Sequence, residues 1–281
     1  TQNGRNDAQT GKGLRYALTT LNTGRLSLPA NSVGSAKKCL EIIRWWTNDR
    51  VQWGLPIGKH EAIAHKMADM AAMTFAMECV SECSSAMADN KRYDIRIQAA
   101  ATKEWNTARA WEIVDEAMQI RGGRGYETEQ SLRDRGEVAT PIERIMRDIR
   151  INRIIEGSEE VMNLFMMREA VDTHLKVAGV IIDPNAGILK KIAALPKIGF
   201  YYAKWYPTRW LKWSRFPKYS KYGRFAGHLR FLDRLSAKIA RSIFHGMLIH
   251  RGGLEKRQGF LFQLARAATE AFVMTVTIGK V

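Results

Sequence analysis

The chain has 281 residues, of which 46% are hydrophobic, and its 44 Lys and Arg residues against 28 Asp and Glu residues give a formal net charge of +16. This length is sufficient for one or two domains with a sizeable helical core. No run of about 20 uncharged apolar residues occurs and no signal-peptide pattern opens the chain, so the sequence predicts no membrane-spanning helix.

The positive charge lies in the second part of the chain. Residues 1–174 hold 24 basic and 24 acidic side chains, whereas residues 175–281 hold 20 basic and 4 acidic ones. We therefore predict a polar lead-in at residues 1–12, a neutral domain at residues 13–175 and a basic, mainly helical extension at residues 176–281.

Helical periodicity dominates the neutral domain. Apolar residues recur at three- and four-residue intervals in four segments, residues 30–46, 61–88, 95–120 and 141–151. Short breaks at residues 54–58 and 90–94 would fold consecutive helices back on each other. The sequence therefore predicts an all-α protein with an antiparallel four-helix bundle. The polar connection at residues 127–140 is interpreted as a lid or as a long solvated loop.

The three cysteines, Cys39, Cys79 and Cys83, are an odd number, which disfavours a disulfide framework and favours a reducing compartment inside the cell. Cys79 and Cys83 lie four residues apart on one face of a predicted helix. This spacing could hold a metal only if histidines joined them, and the six histidines form no such set. We interpret the two cysteines as buried small side chains and predict no metal site.

The basic extension contains an unusual segment at residues 188–224, with ten Lys or Arg, ten aromatic residues and no acid. Aromatic rings such as Trp205, Trp210 and Trp213 suit a lipid headgroup layer, where basic residues also bind anionic lipid. Nucleic acid would use the same residue types through phosphate contacts and stacking. We predict peripheral membrane association, with a protein partner, nucleic acid or dimer packing as the alternatives.

One carboxylate, Glu156, stands in a setting that suits a general base. Ile154 and Ile155 precede it and are expected to shield it from water, whereas Gly157 permits a sharp turn and Ser158 can cap a helix that begins at the next residue. The alternative is that Glu156 is an acid favoured by the positive end of that helix.

Five elements in order give the chain a family resemblance over residues 11–175. They are Leu21-Asn-Thr-Gly-Arg25, Asn48-Asp-Arg-Val-Gln-Trp-Gly54 with Pro56-Ile57, residues 60–70, Gln119-Ile-Arg-Gly-Gly-Arg-Gly-Tyr126, and Glu156-Gly-Ser158. Together they resemble the C-terminal helical domain of the acyl-CoA dehydrogenases. Residues 249–266 resemble the C-terminal extension of the very-long-chain members. By comparison with the family, the N-terminal helical domain and the middle β-domain are expected to be missing from this chain.

The resemblance implies an FAD-dependent oxidoreductase of fatty-acid β-oxidation that dehydrogenates an acyl-CoA thioester, with long-chain substrates favoured. Glu156 would take the α-proton while the β-hydrogen leaves as hydride to the flavin. The family also implies an electron-transfer flavoprotein as electron acceptor, a homodimer or tetramer, and a location in the cytoplasm or on the mitochondrial matrix side. The alternatives are a non-catalytic helical membrane or assembly module with the same fold, and an acyl-CoA oxidase, which reacts directly with oxygen.

The resemblance also assigns candidate cofactor-binding residues. They are Arg50, Gln52, Gln119, Gly122, Gly123 and Ser158. Arg50 and Gln52 would reach the cofactor of the neighbouring subunit, where a guanidinium suits a pyrophosphate. A surface Arg–Gln pair, helix-capping glycines and a plain N-cap serine are the alternative interpretations of the same residues.

Four residues near Glu156 are candidates for the substrate site: Asn22, Arg25, Ile155 and Gly157. Arg25 matches a family arginine that helps to position the catalytic loop, although it could pair with any carboxylate. The chain departs from the family pattern at Asn22, where an acid is common, and at Ile155, where an aromatic residue often precedes the base. Arg121 and Arg124 are further departures, within the glycine segment.

Overall fold

The computed structural model of the chain describes residues 13–90, 92, 94–183, 185–210 and 219–281, with side chains from residue 24 onward except residue 182. The predicted lead-in at residues 1–12 and Trp213 therefore lie outside the described residues. Asn22 lies in the first helix, and its side chain is also outside what is described.

The described residues are almost entirely helical, which confirms the all-α prediction. The elements up to residue 150 are α1 Gly13–Asp49, β1 Val51–Gln52, β2 Leu55–Pro56, α2 Glu61–Asp89, α3 Arg96–Arg121, α4 Gly123–Tyr126, α5 Glu129–Asp134 and α6 Ile142–Arg150. The later elements are α7 Glu159–Ile182, α8 Ile188–Trp210, α9 Ala226–His250 and α10 Gln258–Lys280. The described part of the chain forms two compact units, one that ends at Glu159 and one that begins at Glu160. The domain boundary expected at residue 175 falls inside α7.

The first unit is organised around α3, which packs against α1, α2 and α6. Its small residues Ala99, Ala100 and Ala110 are completely buried, so the backbones of neighbouring helices can approach closely. Helices α2, α3 and α6 begin and end close to the predicted segments, whereas α1 begins at Gly13, well before the predicted start at residue 30. Local amphipathic pattern alone therefore locates the helices that form this core.

The connection between α4 and α6 is structured. It contains α5, whose first turn is capped by Thr128 where the side chain accepts a hydrogen bond from the Ser131 amide at 3.3 Å. Glu137 pairs with Arg124 and Arg135, each at 2.5 Å. Part of the segment at residues 127–140, interpreted from the sequence as a lid or a long solvated loop, is thus a short helix followed by an ion-pair network.

The second unit contains an aromatic cluster around the buried His174 of α7. The imidazole Nδ1 lies 3.0 Å from the Tyr202 hydroxyl, and the Trp205 ring lies 4.9 Å from His174 and 5.4 Å from Phe244 between ring centroids. Trp205 is thus part of the internal packing of this unit. Trp205 is half-buried there, whereas Trp210 is 55% exposed, and membrane association stays a prediction.

One described helix, α10, is long and apolar enough to cross a membrane by length and composition, although the sequence predicts none. The helix packs against α9 and buries Leu261, Ala265 and Val273 along one stripe. It also carries Arg266 and Glu270. We interpret α10 as a packing helix of the second unit.

Candidate active site

Glu156 occupies a strained turn between the single 3-10 turn Ile151–Arg153 and helix α7. Its φ is +57°, and that of Gly157 is +106°. Glycine adopts this left-handed region without penalty, whereas a glutamate there is unfavourable and persists only when its surroundings hold it. Arg153 and Glu159 flank the turn and form an ion pair at 3.0 Å. Ser158 stands immediately before α7, at the position of an N-cap.

The carboxylate of Glu156 packs against the backbone of α1 at Gly24. A Cβ at residue 24 would lie 2.6 Å from Glu156 Cδ and 2.7 Å from Oε1, so only glycine leaves room for the carboxylate. Glu156 Oε2 is buried and makes no hydrogen bond with any described residue. A buried acceptor without a partner is uncommon in native proteins, and it leaves this oxygen available for a substrate proton.

Two buried cations lie near this carboxylate. Arg25 is 5% exposed, and its burial lowers the pKa of the guanidinium while the nearby Glu156 charge opposes that effect. Lys103 of α3 is 1% exposed and donates a hydrogen bond to the Gly157 carbonyl oxygen at 2.5 Å. Burial lowers the pKa of Lys103 to about 8.

The apolar shield predicted from the sequence does not form in the described chain. Ile154 is 52% exposed and Ile155 is 41% exposed. The reversal of the backbone at Glu156 turns its carboxylate toward α1, whereas the two isoleucines that precede the turn lie at the surface. The burial of Oε2 is therefore accompanied by close packing against Gly24, with Ile154 and Ile155 left exposed to solvent.

A second group of candidate residues surrounds Trp46 of α1. The guanidinium carbons of Arg50, Arg121 and Arg124 lie 5.9, 4.5 and 5.7 Å from its ring centroid. The indole Nε1 donates to the Ile120 carbonyl oxygen at 3.3 Å. Trp46 thereby joins the motif around residue 50 to the glycine segment after α3, two elements that are far apart in sequence.

Arg121 is the most deeply buried of these arginines, at 3% exposed. Its Nε and Nη1 make no hydrogen bond with a described residue. Burial lowers the pKa of Arg121, and the nearby Glu137 partly offsets this effect. Unsatisfied guanidinium donors fit an anionic group such as a phosphate, because guanidinium N–H groups match its oxygens.

The two candidate glycines differ in role from a third one nearby. Gly122 ends α3 with a φ of +64°, and a Cβ on Gly122 or Gly123 would meet no atom within 4 Å. At Gly125, a Cβ would lie 2.7 Å from the Met118 carbonyl oxygen. The surface at Gly122 and Gly123 is thus open to close approach of a ligand, and Gly125 serves internal packing.

The remaining candidates lie apart from these contacts. Gln119 is exposed, and the Gln52 amide donates to the Val51 carbonyl oxygen at 2.8 Å. Cys39 is buried, which raises the pKa of its thiol to about 12, and Cys79 is buried as well. Among the described residues, no group of three His, Cys, Asp or Glu side chains could hold a metal ion.

Two residues of the Glu156 site are missing from the sequence-based candidates. Gly24 stands beside the candidate Arg25, and a glycine inside a helical segment signals close packing. Lys103 interrupts a run of small residues, Ala99-Ala-Ala-Thr-Lys103, on the buried face of a predicted helix. A charged residue on an apolar face signals a specific partner, but the sequence does not say which residue that partner is.

Comparisons with known proteins agree with this fold. Residues 11–171 match the model of the acyl-CoA dehydrogenase C-terminal domain family. The chain is 50% identical over 266 residues to the probable acyl-CoA dehydrogenase FadE10 of Mycobacterium tuberculosis, covering 94% of this chain and 41% of that protein. It is 27% identical over 283 residues to the mitochondrial very long-chain specific acyl-CoA dehydrogenase of Mus musculus, covering 97% of this chain and 40% of that protein. The chain thus spans less than half the length of these relatives.

The fold is also found in a solved structure. An acyl-CoA dehydrogenase from Bacillus anthracis, complexed with FAD, superimposes with a TM-score of 0.69 at 24% identity, covering 96% of this chain and 44% of that one. The likeness extends over both compact units, so the fold of the basic extension also has a counterpart in that protein.

Proposed function

The chain belongs to the acyl-CoA dehydrogenase family, as its C-terminal domain, and we propose that the complete protein is an FAD-dependent dehydrogenase of long-chain acyl-CoA thioesters with Glu156 as its base. One observation carries this proposal: the Glu156 carboxylate is held in a left-handed turn, with Oε2 buried and without a hydrogen-bond partner among the described residues. An oxygen in this state is suited to accept a proton.

In the proposed reaction, Glu156 Oε2 accepts the proton from the α-carbon, and the electron pair of that C–H bond forms the α,β double bond as the β-hydrogen leaves. A thioester α-proton is too weakly acidic for an exposed carboxylate, so the base must be desolvated and the developing enolate oxygen stabilised. Bound FAD would accept the β-hydrogen as hydride. The buried cations Arg25 and Lys103 add positive charge around the carboxylate, which becomes neutral when it takes the proton.

The Trp46 cluster is the part of this chain that fits the cofactor best. Arg50 and Arg121 would hold a phosphate of FAD, with the open backbone at Gly122 and Gly123 beside it. Gln52, Gln119 and Ser158 are proposed as further cofactor contacts by family resemblance. If the cluster binds the FAD of a neighbouring subunit, the complete protein is a homodimer or a tetramer.

We further propose that the complete protein works inside the cell at a membrane surface and passes its electrons to an electron-transfer flavoprotein. The described part of segment 188–224 supports the membrane contact. Ile188, Leu189 and Phe200 of α8 are 77%, 83% and 78% exposed, beside Lys190 and Lys197. Exposed apolar residues flanked by lysines are typical of an interfacial helix.

Flavin spectroscopy of the full-length protein tests the proposed function. The purified protein should show flavin absorbance, and anaerobic addition of palmitoyl-CoA should bleach it. Rapid recolouring by oxygen would identify an acyl-CoA oxidase, whereas recolouring only with electron-transfer flavoprotein supports the dehydrogenase. A protein that binds no flavin would be a non-catalytic module, and the proposal would fail.

A further inference from the structure

Lys103 has a buried position that the base and the cofactor cluster do not explain. It lies in α3 beside the completely buried Ala99 and Ala100 and is itself 1% exposed. An ammonium group taken out of water is strongly unfavourable unless a specific partner compensates it. That partner is the carbonyl oxygen of Gly157, 2.5 Å from Nζ, in the residue that follows Glu156.

The turn that Lys103 contacts cannot maintain its conformation by local preference. Glu156 has a φ of +57°, a region that side-chain-bearing residues disfavour. The preceding residues 154 and 155 are exposed and give the turn little packing. Gly24 constrains the carboxylate of Glu156. Lys103 constrains the backbone of the turn at the next residue, through the Gly157 carbonyl oxygen.

We propose that Lys103 is a positioning residue: its ammonium group binds the Gly157 carbonyl and so holds the Glu156 carboxylate in the orientation that removes the α-proton. This proposal rests on the proposed function, in which Glu156 is the base. Lys103 acts through the backbone of the turn and does not itself contact the reacting atoms. Charge-assisted hydrogen bonds of this kind are stronger than neutral ones, so the charge on Lys103 matters to how firmly the turn is held.

The charged groups around Lys103 come from three elements. Glu104 is its neighbour on α3, Arg25 lies on α1, and Arg153 and Glu156 belong to the turn segment. Burial outweighs the two carboxylates and lowers the pKa of Lys103 to about 8. The lysine therefore loses its proton as the pH rises through this value, and the neutral amine is a weaker donor. We expect kcat to fall on the alkaline side with an apparent pKa near 8.

The test compares three variants of the full-length flavin-loaded protein: Lys103→Met, Lys103→Gln and the control Lys66→Met. A misplacement of the base by about 1 Å lowers kcat by about 10²-fold, and we expect this loss in Lys103→Met with KM and flavin content unchanged. Lys103→Gln keeps a donor and should recover part of kcat. Neither variant should show the fall of kcat at alkaline pH that is expected of the wild type.

Lys66→Met is the control. Lys66 is partly exposed and its ammonium pairs with Glu116 of α3, so this variant should leave kcat and its pH profile unchanged.

Thermal unfolding separates positioning from a merely structural role. Because Lys103→Met removes a desolvated charge, its Tm should equal or exceed that of the wild type while kcat falls. Wild-type kcat and an unchanged alkaline fall in Lys103→Met would overturn the proposal. If Lys103→Met does not retain flavin, the pH profiles of kcat for the wild type and Lys103→Gln test the proposal instead. The proposal is overturned if kcat falls at alkaline pH in both proteins, or in neither. If Glu156→Gln is inactive and Lys103→Met is fully active, the positioning role of Lys103 is rejected and Glu156 remains the base. If Glu156→Gln is active, the assignment of Glu156 as the base is rejected.

Discussion

Gly24 and Glu156 form a close contact that depends on the absence of a side chain at residue 24. The carboxylate lies where a Cβ on residue 24 would be, at 2.6 Å from Cδ. The close contact fixes the carboxylate against α1, and it also removes Oε2 from water without a hydrogen bond. At this site the missing side chain determines the position of the candidate base.

Gly24→Ala is expected to displace the carboxylate and lower kcat. Alanine is favoured over glycine in a helix by about 0.5–1 kcal/mol, so the substitution need not lower the stability of α1 itself. Gly34 lies on the same helix with no atom within 4 Å of a would-be Cβ, and Gly34→Ala is the matched control. Steady-state kinetics and Tm should show lost activity only for Gly24→Ala, and equal kcat in the two variants would exclude the contact as functional.

The sequence identifies part of this site for a clear reason. Glu156, Gly157 and Arg25 belong to short motifs, so their types and spacing are visible without a structure. Lys103 contacts Gly157 across a separation that no local pattern encodes. The shielding role expected of Ile155 and its neighbour was inferred from their positions directly before Glu156 in the sequence. It failed because the left-handed backbone at Glu156 directs the carboxylate away from them.

At the scale of elements, Trp46 of α1 connects the segment that follows α1 to the end of α3. Its ring receives Arg50 from the connection after α1 and Arg121 from the end of α3, while its Nε1 binds the Ile120 carbonyl oxygen. This arrangement places the guanidinium groups of Arg50 and Arg121 within 6 Å of the same ring centroid. The unsatisfied donors of Arg121 would be compensated by a bound anion.

Arg50→Ala should therefore lower flavin retention in the full-length protein. Loss of a hydrogen bond to a charged group costs about 1.5–3 kcal/mol, which corresponds to about 10- to 100-fold weaker binding. Arg44→Ala, on the exposed face of α1, is the control. Equilibrium dialysis or the flavin-to-protein absorbance ratio measures the effect, and unchanged retention in Arg50→Ala would assign Arg50 to the surface.

The aromatic cluster of the second unit predicts an acid-sensitive stability. Burial lowers the pKa of His174, so between that value and the ordinary one the unfolded chain binds more protons than the folded chain. Stability should fall as the pH drops below the ordinary histidine pKa of about 6.5. His174→Gln, which can still bond Tyr202, should flatten this dependence, whereas the exposed His228→Gln should not. Parallel Tm profiles for all three proteins would contradict this account.

At the scale of the whole molecule, the excess positive charge belongs to residues 175–281, and the neutral part carries the candidate base. The apolar periodicity predicts most helix positions because the buried face of each helix appears in the sequence as apolar residues at three- and four-residue intervals. The periodicity does not predict which residues of segment 188–224 are exposed to solvent. Trp205 is used in internal packing with His174, and α8 instead exposes Ile188 and Leu189.

Membrane binding should therefore depend on the exposed aliphatic residues of α8. Changing Leu189, Ile192 and Leu195 together to Gln should remove the salt-resistant part of binding to anionic liposomes, because screening by salt weakens charge contacts but not inserted side chains. The control changes Phe231, Leu248 and Ile249 of α9, which are also exposed, to Gln. Flotation of the α8 variant in high salt to the wild-type extent would refute the membrane contact.

The central claim is that Glu156 is the base, and anaerobic stopped-flow reduction of the full-length protein by palmitoyl-CoA tests it most directly. Glu156→Gln keeps the shape of the side chain but cannot accept the α-proton, whereas Glu160→Gln changes an exposed acid four residues later. We predict that Glu156→Gln retains bound flavin and that its bleaching slows by about 10²–10⁴-fold or more, with Glu160→Gln near the wild type. Bleaching of the Glu156→Gln flavin at the wild-type rate would contradict the account.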